Sequence, residues 1–210
     1  MSVVGLAYVG PVDAYDVVDW RRRVFALYAA VRAESDPAAG HARWRRERDE
    51  LFAHHPATPL LPEDRDGFGG LQVAAYDPAW RFEVEVEAAE PTTWEVETGT
   101  DGVVPFERIG AVTLPDVGTL DVWRLTTYGG GVFVPMRDGG CGRPGGGYGG
   151  GRYLLDTVKG ADLGGDSGRL VVDLNFAYAP SCAYDPAWAC PLAPTGNRVD
   201  TVVPVGELQA

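Results

Sequence analysis

Residues 81–89 read RFEVEVEAA, and this stretch decides the fold class. Phe82, Val84, Val86 and Ala88 alternate with Arg81, Glu83, Glu85 and Glu87, which puts an apolar row on one face of an extended strand and a charged row on the other. After a turn at Glu90-Pro91 the pattern returns in TTWEVET, residues 92–98. Strand-like runs follow at 108–114, 119–127, 131–136, 152–158, 169–178 and 199–205, separated by glycine or proline clusters with no room for helices between them. This spacing predicts a mainly antiparallel sheet system, folded as a barrel or a sandwich.

Upstream the period is different. Val17, Trp20, Val24, Leu27, Tyr28 and Val31 recur at three- and four-residue steps, with Asp13 placed to cap the helix they describe. Asp36-Pro37 supplies a second cap with proline at the first helical position, and His41, Trp44, Leu51 and Phe52 carry the stripe on until Pro56. The outer faces hold Arg21, Arg22, Arg23, Arg45, Arg46 and Arg48 interleaved with Glu47, Asp49 and Glu50, which reads as a solvated, ion-paired surface. The expected fold is therefore α+β. A helical segment at 1–66 packs on a β-rich part at 67–210, the two forming one folding unit.

The 210 residues carry a formal net charge of −12, which repels phosphate backbones and anionic lipid and argues against a nucleic-acid partner. The opening MSVVGLAYVG lacks the basic residue and uninterrupted apolar run of a secretory signal, and no stretch approaches the length of a membrane span. With three cysteines, the expected setting is a reducing cytoplasm.

The segment 139–153, GGCGRPGGGYGGGRY, matches G-x-G-x-x-G at Gly145, Gly147 and Gly150. A dinucleotide site needs a strand before and a helix after that motif, whereas Arg152-Tyr153-Leu154-Leu155 continues as strand. Two readings remain, a long hairpin connection and a mobile, ligand-embracing loop whose amides form an anion-binding concavity completed by Arg152. Cys182 and Cys190 are too far apart for a typical structural zinc site, and no C-x-x-C motif exists. Buried thiols, a disulfide and a reactive cysteine stay open, with the proline-rich turn expected to bring the two together, and Cys141 stands in the glycine loop. His41, His54 and His55 lack the spacing of zinc hydrolases, and no G-x-S-x-G elbow occurs. In VVDLNFAY, 171–178, a continuous strand would turn Asp173, Asn175 and Ala177 to one face and Val172, Leu174, Phe176 and Tyr178 to the other.

The run Tyr148-Gly149-Gly150-Gly151-Arg152-Tyr153-Leu154, the segment from Asp173 through Asn175, Tyr178, Pro180 and Cys182 to Tyr184, then Cys190-Pro191-Leu192-Ala193-Pro194 and Asn197-Arg198, resembles the domain of unknown function 1684 family. Weaker similarity runs through Thr58-Pro59-Leu60, Phe68-Gly69-Gly70-Leu71, Tyr76-Asp77-Pro78 and Gly206-Glu207. Two departures stand out: Asp138 is followed by Gly139-Gly140-Cys141-Gly142 where the family has an Asp-x-Thr-x-Gly pattern, and Ala179 precedes Pro180 where it has Asn. The resemblance singles out residues and implies no activity or cofactor.

These readings converge on a pocket for a small polar or anionic molecule, built from the glycine loop and residues 173–190. Arg152 supplies charge; Asp138, Asp173, Asn175 and Glu207 orient the ligand; Tyr148, Tyr153, Tyr178 and Tyr184 wall it, beside Cys182 and Cys190. Metal ligation is not expected. One rival is a hydrolase or lyase with Asp173 or Glu207 as general base. The other is a purely structural polar network, with Arg152 buried on Asp173, Glu207 or Asp138. The sequence leaves the cofactor and the oligomeric state unknown.

Overall fold

A computed structural model describes residues 12–98, 102–166 and 168–209; the opening stretch MSVVGLAYVG lies outside the described residues. Helix α1 spans Ala14–Ala33 and α2 spans Pro37–His54. Both caps form as the sequence predicts. Asp13 and Asp16 exchange a reciprocal capping box, the Asp16 amide donating to Asp13 at 2.8 Å, and the Ala38 amide donates to Asp36 at 3.0 Å. The apolar stripe of α1 is buried only in its second half, at Leu27, Tyr28 and Val31, while Tyr15, Val17 and Val18 lie exposed. A short third helix, α3 at Pro62–Arg65, follows.

The strands form two antiparallel sheets, and neither closes on itself among the described residues. One contains β1 (Arg81–Glu85), β7 (Gly165–Asp166) and β8 (Arg169–Asp173) in the order β1-β8-β7. The other is a meander of β2 (Thr93–Thr98), β3 (Gly102–Leu114), β4 (Gly118–Leu125), β5 (Val132–Met136) and β6 (Arg152–Asp156), each paired with the next. Phe82, Val84 and Val86 turn inward while Glu83, Glu85 and Glu87 stay exposed. They pack on a core of Val112, Leu114, Leu120, Val122, Val134, Met136, Val172 and Leu174. The sheets meet where Glu87 and Ala111 exchange backbone hydrogen bonds of 2.8 and 2.9 Å. Gly110 makes that approach possible, since a Cβ there would stand 2.5 Å from the Glu87 carbonyl oxygen.

Two predicted strands differ. The run at 169–178 ends at Asp173, whose carboxylate accepts the Asn175 amide at 3.0 Å and turns Leu174–Phe176 into a 3-10 turn, so the expected alternation of faces stops there. Residues 199–205 form no strand: Arg198 makes a parallel bridge with Arg137, Val199 and Thr201 bond the backbone of Arg137 and Gly139, and bends follow. The cause is Arg152. Its guanidinium takes the carbonyls of Val203, Val205 and Glu207, alternate acceptors that a neighbouring strand would otherwise have satisfied.

The helices lie on the β part through aromatic side chains. Trp44 and His41 meet Phe176 edge-on, each at 5.3 Å between centroids, and Phe52 meets Tyr184 at 5.0 Å. Beneath this interface runs the chain's last segment, its Glu207 amide bonded to the Ala177 carbonyl at 2.8 Å and its Leu208 amide to Gln72 at 2.7 Å. Helix, sheet and tail thus converge on Glu207.

Candidate functional site

The residues singled out in the sequence separate into four groups. The first is a clasp of Arg152 and Asp138, whose side chains are wholly buried and whose Nη2 and Oδ2 are 2.7 Å apart. Asp138 also accepts the Gly140 amide at 2.8 Å and the Cys141 thiol at 3.1 Å. Burial opposes its ionisation, but Arg152 and these donors outweigh that and hold its carboxyl below the usual value. The glycine loop wraps this clasp. A Cβ on Gly147 would stand 2.6 Å from Arg152 Nε, so the backbone lies directly on the guanidinium. The same Nε is buried with no hydrogen-bond partner. Arg152 has no exposed surface, lines neither cavity described below, and ties the segment 203–207 to β6.

The second group is Asp173 and Asn175. Asn175 exchanges hydrogen bonds of 2.9 Å with the backbone of Asp77 in both directions and donates to Asp173 at 2.8 Å, while its own carbonyl accepts His41 Nε2 at 3.0 Å. Tyr76 donates to Asp173 at 3.3 Å and Arg81 stands 4.0 Å away. Burial raises the Asp173 carboxyl. These contacts pin the 76–81 loop to the end of β8 and occupy the polar atoms of both residues.

The third group surrounds a cavity. A space of about 90 Å³ opens between α1, α2 and the 178–184 segment, lined by Trp20, Tyr28, Arg48, Phe52, Tyr153, Lys159, Tyr178 and Tyr184 among others. Arg48 Nη1 donates to Glu207 Oε2 at 2.9 Å, the Tyr184 hydroxyl donates to Oε1 and the Ala179 amide reaches Oε2 at 3.3 Å. The guanidinium lies 4.6 Å from the Trp44 ring centroid and 5.2 Å from that of Tyr178, favourable placements for a cation on aromatic faces. Burial pushes the Glu207 carboxyl up, Arg48 opposing it, and burial pushes Tyr28 up to about 12. Tyr153 and Tyr178 form the floor, bridged by backbone hydrogen bonds of 2.8 and 3.1 Å.

The fourth group is Cys182 and Cys190, neighbours beside Tyr148 and Tyr153 and present as free thiols. Burial first, then Cys190, pushes the Cys182 thiol up to about 11, so Cys182 is not primed as a nucleophile.

Tyr153, Tyr178 and Tyr184 therefore line a cavity, with Glu207 bonded behind its lining residues Arg48 and Tyr184, while Tyr148, Arg152, Asp138, Asp173 and Asn175 stand outside it. Sequence reasoning missed Arg48, which it placed on the ion-paired outer face. Arg48 is buried, in step with His41, Trp44 and Phe52, and that charge on an apolar stripe was the available signal. Lys159 was the other omission. It is the chain's single lysine.

With this geometry in view, residues 66–208 match the model of a family described as a protein of unknown function, DUF1684. The chain belongs to that family. A solution NMR structure of an uncharacterised protein from Haloarcula marismortui is similar over 94% of this chain and 98% of its own, at 31% identity and a TM-score of 0.58. That similarity spans more than the family match, so it takes in α2, the helix that carries Arg48. No curated protein matches the chain. No helix among the described residues is long and apolar enough to cross a membrane.

Proposed function

We propose that this member of the DUF1684 family binds a small, partly apolar molecule carrying one anionic or acceptor group in the cavity beneath α1 and α2. The observation that carries the reading is Arg48 at the wall of a largely aromatic and aliphatic cavity, ion-paired with Glu207 behind it. Burying two charges is costly, and a pair placed beside an enclosed space rather than packed over completely is suited to orienting a polar ligand group. Tyr184, Ser181 and Lys159 add donors to the same wall. Free thiols at Cys141, Cys182 and Cys190 fit a reducing compartment such as the cytoplasm.

A second reading takes the same site as an acid–base centre. It is favoured by the raised Glu207 carboxyl and its hydrogen bond from Tyr184, a short path for a proton between the cavity and a buried base. Titration calorimetry with a panel of small carboxylates and phosphates on wild type, Arg48→Met and Tyr184→Phe tests both readings. Binding that weakens in Arg48→Met supports the ligand role, and turnover of a bound compound that Tyr184→Phe abolishes without loss of binding supports the second. Equal heats in all three proteins would remove the site from consideration.

A further inference from the structure

A second concavity lies on the far side of Tyr153 and Lys159 from the cavity. It is an open cleft of about 310 Å³ between the face of the five-stranded sheet turned away from β1 and β8 and the 187–191 loop. Its floor is a continuous aromatic surface. Phe106 and Phe133 lie 5.5 Å apart between ring centroids, Phe133 and Tyr153 meet edge-to-face at 4.8 Å, and Trp94 stacks behind Phe106 at 4.9 Å. Trp188 stands on the opposite rim, half exposed, in a loop held by turns at Asp185 and by the Tyr153 hydroxyl donating to the Pro191 carbonyl at 2.8 Å.

The charged residues lining the cleft are two cations, Arg21 and Lys159, and one acid, Asp156. Arg21 reaches the cleft from α1, and Lys159, whose ammonium lies 6.0 Å from the Tyr153 ring centroid, enters from the turn after β6. Asp156 is the acidic group facing them. Its Oδ2 is 3.8 Å from the ammonium, its Oδ1 is taken up by the Lys159 amide at 3.2 Å, and burial raises its carboxyl. One carboxylate thus faces two cations, in a chain whose net charge is −12. Such a local reversal of sign draws a monoanion in from solution.

We infer that this cleft binds a planar aromatic monoanion, an arylcarboxylate of one or two rings, with its carboxylate between Lys159 and Arg21 and its rings between the Phe106–Phe133 floor and Trp188. The volume is at the lower end of small-molecule sites, which suits one fused ring pair and excludes a nucleotide-sized ligand. A flat ring gains an offset or edge contact with Phe133 and a second face against Trp188. The carboxylate replaces water around two exposed cations, the ingredient that separates the anion from its neutral counterpart.

The test is a fluorescence titration of the full chain with 2-naphthoate and, in parallel, the neutral 2-naphthalenemethanol. The expected result is saturable binding of the anion with an affinity at least about tenfold above that of the alcohol, which corresponds to about 1.4 kcal/mol. Lys159→Met keeps an apolar stem over Tyr153 and should erase that preference; Trp188→Ala, at a half-exposed rim position that leaves the core intact, should weaken both ligands. Arg48→Met should leave both unchanged, so failure here and failure of the inner cavity are separate results. Equal affinity for the two compounds, or an anion preference that survives Lys159→Met, would overturn the inference.

Discussion

Arg152 Nη2 lies 2.7 Å from Asp138 Oδ2, with both side chains shut off from solvent; Nη2 also donates to the Val203 carbonyl, and Nη1 to those of Val205 and Glu207. One side chain therefore stands in for a strand along the tail. Arg152→Ala should lower stability by about 3–5 kcal/mol, because it leaves a carboxylate buried without its partner. Arg152→Lys should not restore it, since an ammonium lacks the planar fork that reaches several acceptors at once. Guanidinium unfolding midpoints check both.

Asn197 is a second internal tie. Its side chain accepts the Trp123 indole N–H at 2.8 Å and donates to the carbonyls of Asp121 and Pro135 at 2.8 and 2.9 Å, joining β4 and β5 from a fully buried position. Asn197→Leu should cost about 1–3 kcal/mol for each group left unsatisfied. A small loss, with Trp123 fluorescence unmoved, would show that the tie carries little.

Stability should pass through a maximum on the mildly acidic side of neutrality. Burial raises the carboxyls of Asp156, Asp173 and Glu207, so the folded chain holds those protons more tightly than the unfolded one. Folding therefore gains stability as pH falls through their folded values towards 3.8 for the aspartates and 4.5 for Glu207. Asp138 has the opposite sign: its contribution is present above 3.8 and is lost as pH falls through its lowered folded value. Glu207→Gln should blunt the gain on the acid side and leave the low-pH loss in place, as read from unfolding midpoints across the range.

Cys182 and Cys190 should close a disulfide under mild oxidation, being neighbours on a compact turn and partly open to solvent. Intact mass after treatment with oxidised glutathione should show the loss of two hydrogens, with Cys141, bonded to Asp138, unmodified. A mixed disulfide at Cys182 that Cys190 never resolves would contradict the pairing.

The local signals in the sequence were sufficient for the parts of the fold that local physics decides. Asp13 and Asp36-Pro37 announce both helix starts through their own caps, and the alternation at 82–86 gives the buried face of β1. What escaped rests on distant partners. Residues 199–205 have the composition of a strand, but Arg152 takes the carbonyls on which a strand would depend. Asp173 has strand neighbours, yet its carboxylate folds back on the Asn175 amide. At the site, Tyr153, Tyr178, Tyr184 and Glu207 were legible as an unusual density of polar aromatics and a late carboxylate. Arg48 was masked by the acidic residues beside it, because adjacent residues on a helix point in different directions.

The most direct measurement is a thermal-shift screen of small organic acids on wild type and on Ala179→Leu, which fills the cavity without removing Arg48, Glu207 or Tyr184. A ligand bound to the folded state alone raises the midpoint in proportion to the logarithm of its concentration once it is in excess. At least one acid should stabilise wild type in this way and leave Ala179→Leu unmoved. Compounds that shift both proteins equally, or a panel in which none shifts wild type, would contradict it.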